Sequence, residues 1–125
     1  MKIGTRMPGF AREIGFDGYC AWLAENEFDA VDTPPLTADI ARTCKRHGLA
    51  IGTSDANAGG LLSRDAAKRR KGLSELKKQL TAIAKNGGHT YFAILGPDER
   101  DMPRGETFEI FCKIYPKVVE HAEKV

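Results

Sequence analysis

Short runs of β-forming and apolar residues alternate with stretches of helical periodicity four times along the chain, and this alternation restricts the fold more than any other feature. Met1 to Thr5 (MKIGT) reads as a first strand. After the loop RMPGFAREIGF, a helix is predicted with Asp17 as its N-cap, running through YCAWLAEN. Phe28 to Val31 forms the next apolar run and stops at Asp32-Thr33-Pro34-Pro35, where two prolines break regular structure. Thr37 then caps a helix whose Ile40, Ala41 and Cys44 share a face until Gly48. Leu49 to Ser54 (LAIGTS) is a third strand, followed by the loop Asn57-Ala58-Gly59-Gly60.

A long helix is predicted from about Arg64 to Asn86, because Leu73, Leu76, Leu80, Ile83 and Ala84 follow a three-and-four spacing. Asn86-Gly87-Gly88 stops it. His89 to Leu95 (HTYFAIL) is nearly continuous in apolar character, as expected of a strand covered on both faces, and Gly96-Pro97-Asp98 ends it. A last helix begins near Gly105, with Phe108, Phe111, Cys112, Tyr115, Val118, Val119 and Ala122 as its apolar face and Pro116 expected to kink or split it. Short strands separated by helices join most simply as parallel crossovers. The expected fold is α/β: one domain over residues 1–125 with four βα units and a parallel sheet. A complete (β/α)8 TIM barrel typically needs about 250 residues, so 125 residues correspond to half of one.

Composition excludes several functions. Nineteen Lys and Arg against 17 Asp and Glu leave a formal charge of +2, too balanced for an electrostatic grip on nucleic acid or a membrane. The run Lys68-Arg69-Arg70-Lys71 lacks interleaved aromatics and reads as a solvated helix face. The longest strongly apolar stretch, Tyr91 to Leu95, is far short of the roughly 18 residues of a membrane span, and the first residues do not read as a signal sequence. Cys20, Cys44 and Cys112 are odd in number, lie far apart and fall in helical patterns, which points to reduced core thiols in a cytoplasmic setting. Trp22 reads as helix-to-sheet packing.

In a parallel sheet of this kind, sites form at the C-terminal ends of the strands. The three histidines belong to the other end: His47 and His121 close helices, and His89 opens a strand. The strand ends supply Thr5, Arg6 and Met7, then Asp32 and Thr33, then Asp55 and Asn57, and finally Gly96, Pro97 and Asp98. Asp32 and Asp55 come from neighbouring strands, so their carboxylates can converge on a sugar hydroxyl, orient a base or hold a hard cation, while turn formation is the alternative use of each. The Asn57–Gly60 loop can present backbone N–H groups to an anion such as a sugar phosphate, although it lacks the spacing of a P-loop and serves equally as a flexible connection.

The pattern resembles the sugar phosphate isomerase/epimerase family, the xylose-isomerase-like TIM barrels that also include a DNA-repair endonuclease branch. The resemblance runs through MKIG, FDGYCAWLAENEFDAVDTPPL, HGLAIGTSDA, LLSRDAAKRR and ETFEIFCKIYPKVVEHAEKV, in order along the chain. It implies a barrel in which Glu, Asp, His and Glu at the ends of the fifth to eighth strands hold a divalent metal (Mn, Mg, Zn or Co), and which carries out carbohydrate metabolism by aldose–ketose isomerisation or epimerisation. Within the matched half, Asp55 stands where relatives often have His at the end of the third strand, Gly96 where the fourth often has His, and Glu27 where a helix-ending Gly is common.

The expectation is therefore the N-terminal half of such an enzyme, truncated before the fifth strand and inactive alone, with no catalytic residue, metal ligand or cofactor in this chain. Arg6 is expected to bind phosphate or carboxylate, and Asp32, Asp55 and Asn57 the hydroxyls of a sugar or sugar phosphate. The partner is a complementary C-terminal half or a second copy, and no nucleic acid or membrane is expected. The alternative is a non-catalytic, self-associating half-barrel that binds a ligand.

Overall fold

The computed structural model describes residues 2–125, the side chain of Phe10 excepted. The elements alternate as the sequence predicts: β1 (Gly4–Arg6), a 3-10 helix (Gly9–Ile14), α1 (Gly15–Glu25), β2 (Ala30–Thr33), α2 (Ala38–Arg46), β3 (Ala50–Asp55), α3 (Ala66–Lys85), β4 (Thr90–Phe92), α4 (Arg104–Ile114) and α5 (Pro116–Ala122). The four strands form one sheet in the order β1-β2-β3-β4, and every pairing is parallel. This is an α/β fold with a helix in each crossover, the arrangement of four successive units of a (β/α)8 barrel. Among the described residues, no helix is long and apolar enough to cross a membrane. Of the predicted first strand, Met1 lies outside the described residues.

The chain divides into two compact units, one formed by the residues through Asp55 with Ala82–Phe92, the other by Ala56–Thr81 with Ala93–Val125. The first unit contains the whole sheet. Its core gathers Val31 of β2, Tyr19, Cys20 and Leu23 of α1, Cys44 of α2, and Leu49. Tyr19, Cys20 and Leu23 are buried because their one, three and four residue spacings place them on one side of α1. Burial pushes the Cys20 thiol up to about 12 and raises that of Cys44, so both remain protonated core groups. Cys112 departs from the expectation and is exposed.

All three helices that precede a strand in this unit end in the same way. Phe28 N–H donates to Leu23 O at 3.0 Å, Leu49 N–H to Cys44 O at 3.0 Å, and Gly88 N–H to Ile83 O at 2.9 Å. In each case the residue just before the donor has positive φ: Glu27 at 62°, Gly48 at 71° and Gly87 at 83°. These are Schellman motifs, which turn the chain out of a helix while satisfying its last carbonyls. Two use the expected glycine, and the first places a glutamate in the left-handed region.

The start of α1 differs from the sequence reading. The 3-10 helix leads directly into α1, so the helix begins at Gly15, and no side chain caps it. Asp17 lies inside the first turn, where Arg46 Nη2 and His47 Nε2 approach its Oδ1 at 2.5 and 2.7 Å. Those contacts lower the Asp17 carboxyl pKa, with the His47 hydrogen bond contributing most. The cap predicted for α2 is present, Thr37 Oγ1 accepting from Ile40 N–H at 3.3 Å. At β4, in contrast, only Thr90–Phe92 is strand rather than His89–Leu95, and Thr90, Phe92 and Ile94 are exposed. As an outermost strand, β4 pairs only with β3, which shortens it, and the exposed residues alternate along one face while Tyr91 on the other is half-buried.

In the second unit, Asp65 starts α3 by accepting from the N–H groups of Ala67 and Lys68 at 2.6 and 3.2 Å. Leu61, Leu62, Leu76, Leu80, Met102 and Val118 are buried. Pro116 separates α4 from α5 as predicted and occupies the first position of α5, where a missing N–H costs no helical bond. The apolar face expected across both helices is only partly buried. Phe111 stacks with Tyr115 at 4.6 Å between centroids, but Phe108, Cys112, Val119 and Ala122 are exposed. Phe108 and Cys112 are exposed within α4 itself, so the break at Pro116 does not account for the uncovered face.

Candidate functional site

Strand register gathers the candidate site side chains of the first unit. Arg6 aligns with Asp32, and Asp55 with Phe92. Between β2 and β3 the register slips: Val31 pairs with Ile51 but Thr33 with Ser54, so β3 carries one residue more than β2. Such a bulge leaves an N–H without a ladder partner. Asp32 Oδ1 accepts the Thr53 N–H at 2.8 Å. Gly52 makes room for it, since a Cβ there would lie 2.5 Å from that oxygen. On the buried side, Thr33 Oγ1 donates to Ser54 Oγ at 2.9 Å. Asp32 therefore holds the bulge with one oxygen.

Arg6 reaches from β1 to the far strands. Its Nη2 lies 2.6 and 2.7 Å from the two carboxylate oxygens of Asp55, and its guanidinium carbon sits 5.0 Å from the centre of the Phe92 ring. One nitrogen makes both contacts, leaving Nη1 and Nε for other acceptors. Arg6, Arg12, Asp32, Thr33 and Asp55 line a cavity of about 170 Å³ together with Met7, Phe16 and Pro34. Two arginines and two carboxylates thus face one space. Arg6 and Asp55 neutralise each other, and Arg12 makes no ion pair among the described residues. No protein-family model and no curated protein matches the chain.

The donor set of this cavity suits hydroxyl and anion binding and does not fit a divalent cation. Asp32 has one oxygen engaged by the Thr53 N–H, and the Arg6 guanidinium bridging Asp55 opposes a second positive charge. Among the described residues, no group of three or more His, Cys, Asp or Glu side chains is placed to hold a metal ion. The hard-cation use of the two aspartates is thus the least compatible with the geometry.

Of the residues expected at a site, the structure brings Arg6, Asp32 and Asp55 together in the first unit, with Met7 and Thr33 on the same cavity. Asn57 belongs to the second unit. Its N–H donates to Gln79 Oε1 at 2.8 Å, and its Oδ1 accepts from Gly59 N–H at 2.8 Å. Gly60 N–H donates to Asp98 Oδ1 at 3.1 Å. The Asn57, Gly59 and Gly60 N–H groups of the loop are therefore engaged by side chains of the same unit rather than presented freely. Arg12 was not legible as a cavity residue, because the 3-10 helix that carries it has no periodic signature in FAREIG.

The first unit also has an apolar cavity of about 340 Å³, lined by Tyr19, Trp22, Phe28, Ile14, Ala11 and Pro8 beside Thr5 and Arg6. Tyr19 O–H donates to Arg6 O at 3.1 Å, and its ring stacks on Trp22 with centroids 6.1 Å apart. Trp22 packs on Tyr19 and Phe28 yet keeps 47% of its surface exposed. Two of the three histidines serve structure: His47 holds Asp17, and His121 Nε2 lies 2.9 Å from Thr81 Oγ1 and 3.0 Å from Lys77 O.

Proposed function

We propose that Arg6, Asp32 and Asp55 form the substrate-binding side of a sugar phosphate isomerase/epimerase-type site, and that the chain corresponds to the N-terminal half of such an enzyme, binding ligand without turnover by itself. The observation that carries this reading is the convergence of these three side chains, from three adjacent parallel strands, on one cavity at the strand C-terminal ends. Arg6 offers Nη1 and Nε to a phosphate or carboxylate, with Arg12 adding a second charge. The free oxygen of Asp32 and the Asp55 carboxylate accept hydroxyl hydrogens. The reading rests on Arg6, Asp32 and Asp55 of the first unit; Asn57, expected beside them, belongs to the second. A divalent metal belongs to the complementary half. A cytoplasmic setting accords with the buried thiols of Cys20 and Cys44.

Calorimetric titration with glucose 6-phosphate and with glucose tests this. The phosphorylated sugar is expected to bind more tightly, and Arg6→Ala to weaken it by about tenfold or more, the range of one charge-assisted contact. Equal affinity for both sugars, or an unchanged affinity in Arg6→Ala, contradicts it. A second reading, a self-associating half-barrel binding module, is favoured by the outer strand β4, whose Phe92 is 45% exposed, and by exposed Trp22.

A further inference from the structure

The second unit has a polar cavity of its own, about 350 Å³, between the Asn57–Gly60 loop and α3. Lys68, Lys71, Glu75 and Gln79 line it from successive turns, their three- and four-residue spacings placing them on one helix face. Gly72 lies where the loop meets the helix. A Cβ there would stand 2.7 Å from Gly59 O and 2.8 Å from Leu61 N, so the loop rests on helix backbone. Gly60, at φ 76°, takes a conformation that suits glycine. The cleft is thus built by close backbone contact and by the side-chain bonds of Asn57, Gln79 and Asp98.

Charge within the cleft is unequally matched. Glu75 is held by Lys78 at 2.9 Å. Asp98 places one oxygen 3.1 Å from Gly60 N and the other 3.8 Å from Lys68 Nζ. Lys71 makes no ion pair among the described residues, and its charge acts on Glu75 only through space. The Asn57 amide nitrogen also donates to no group among them. The chain therefore already seats a carboxylate on this cleft: its hydrogen bond to Gly60 is of ordinary length, while its 3.8 Å contact with Lys68 is long enough for an anion with better geometry to compete.

We propose that this cleft binds a phosphomonoester, with Lys68 and Lys71 as charge partners, the Gly60 N–H and the Asn57 amide as donors, and Asp98 as an internal competitor for the same place. Four donors suit the three terminal oxygens of a phosphomonoester better than the two of a carboxylate. The proposal is independent of the reading of the strand-end cavity.

Inorganic phosphate titrated into the ¹⁵N-labelled chain, against chloride at matched ionic strength, tests it. Saturable shifts of the Gly59, Gly60 and Lys71 amides are expected with phosphate and not with chloride. Asp98→Asn is expected to tighten phosphate binding by about threefold or more, and Lys71→Ala, an exposed position whose replacement leaves the rest of the spectrum in place, to weaken it by about tenfold. The proposal is overturned if those amides do not shift or shift equally with chloride. It is likewise overturned if Asp98→Asn weakens binding or Lys71→Ala leaves it unchanged. Shifts confined to Arg6, Thr33 and Asp55 would overturn it while bearing on the strand-end cavity instead.

Discussion

Glu27 takes the left-handed conformation at a turn where Gly48 and Gly87 hold the equivalent places. An L-residue there costs roughly 1–2 kcal/mol, and glycine returns part of that through its larger unfolded-state entropy. Glu27→Gly is expected to stabilise the chain by about 0.5–1 kcal/mol in urea unfolding, and a loss of stability would show that the Glu27 side chain contributes something its backbone geometry does not reveal. Asp17 supplies a second test. Its carboxyl pKa is lowered from 3.8 by His47 and Arg46, so the folded state binds its proton less readily than the unfolded state. The stability it confers is present above the unfolded-state value and is lost as pH falls through the folded-state one. The difference between wild type and Asp17→Asn, followed by denaturant unfolding from neutral to acid pH, should shrink to nothing at the acid end. A pH-independent difference contradicts the assignment. Asp17 was legible in sequence as a helix-start residue but not as an ion-pair hub, because both partners arrive from α2, 29 and 30 residues along the chain.

Within α3, Gly72 sets propensity against packing. Alanine gains about 1 kcal/mol of intrinsic helix stability over glycine, yet its Cβ would enter the backbone of Gly59, Gly60 and Leu61. Overpacking against backbone costs about 1–3 kcal/mol. Gly72→Ala should therefore destabilise on balance, and a more stable variant would mean that the loop does not rest on the helix. Periodicity and punctuation made most elements legible: Thr37 and Gly48 bound α2, Asn86-Gly87-Gly88 ends α3, and Pro116 divides the last helices. Two features carried no local signal. The 3-10 helix is too short to show a period, and the length of β4 depends on its having a single neighbour, which no composition of HTYFAIL encodes.

At the scale of the whole molecule, the parallel sheet follows from the order of strands and helices, and the site follows from where that order brings strand ends. The convergence of Arg6, Asp32 and Asp55 on one cavity was legible for this reason. Their division of labour was not, since the bulge that engages Asp32 arises from a one-residue mismatch between β2 and β3. The self-associating reading makes its own prediction at this scale. Light scattering after size exclusion should give twice the 13.7 kDa chain mass if a second copy covers the outer strands, and the single mass if it does not. The central claim is that a phosphorylated sugar binds at the strand ends through Arg6, and amide shift mapping with glucose 6-phosphate tests it most directly. Saturable shifts at Arg6, Thr33 and Asp55 that disappear in Arg6→Ala are expected; no saturable shift at those residues, or shifts that persist in Arg6→Ala, would contradict it.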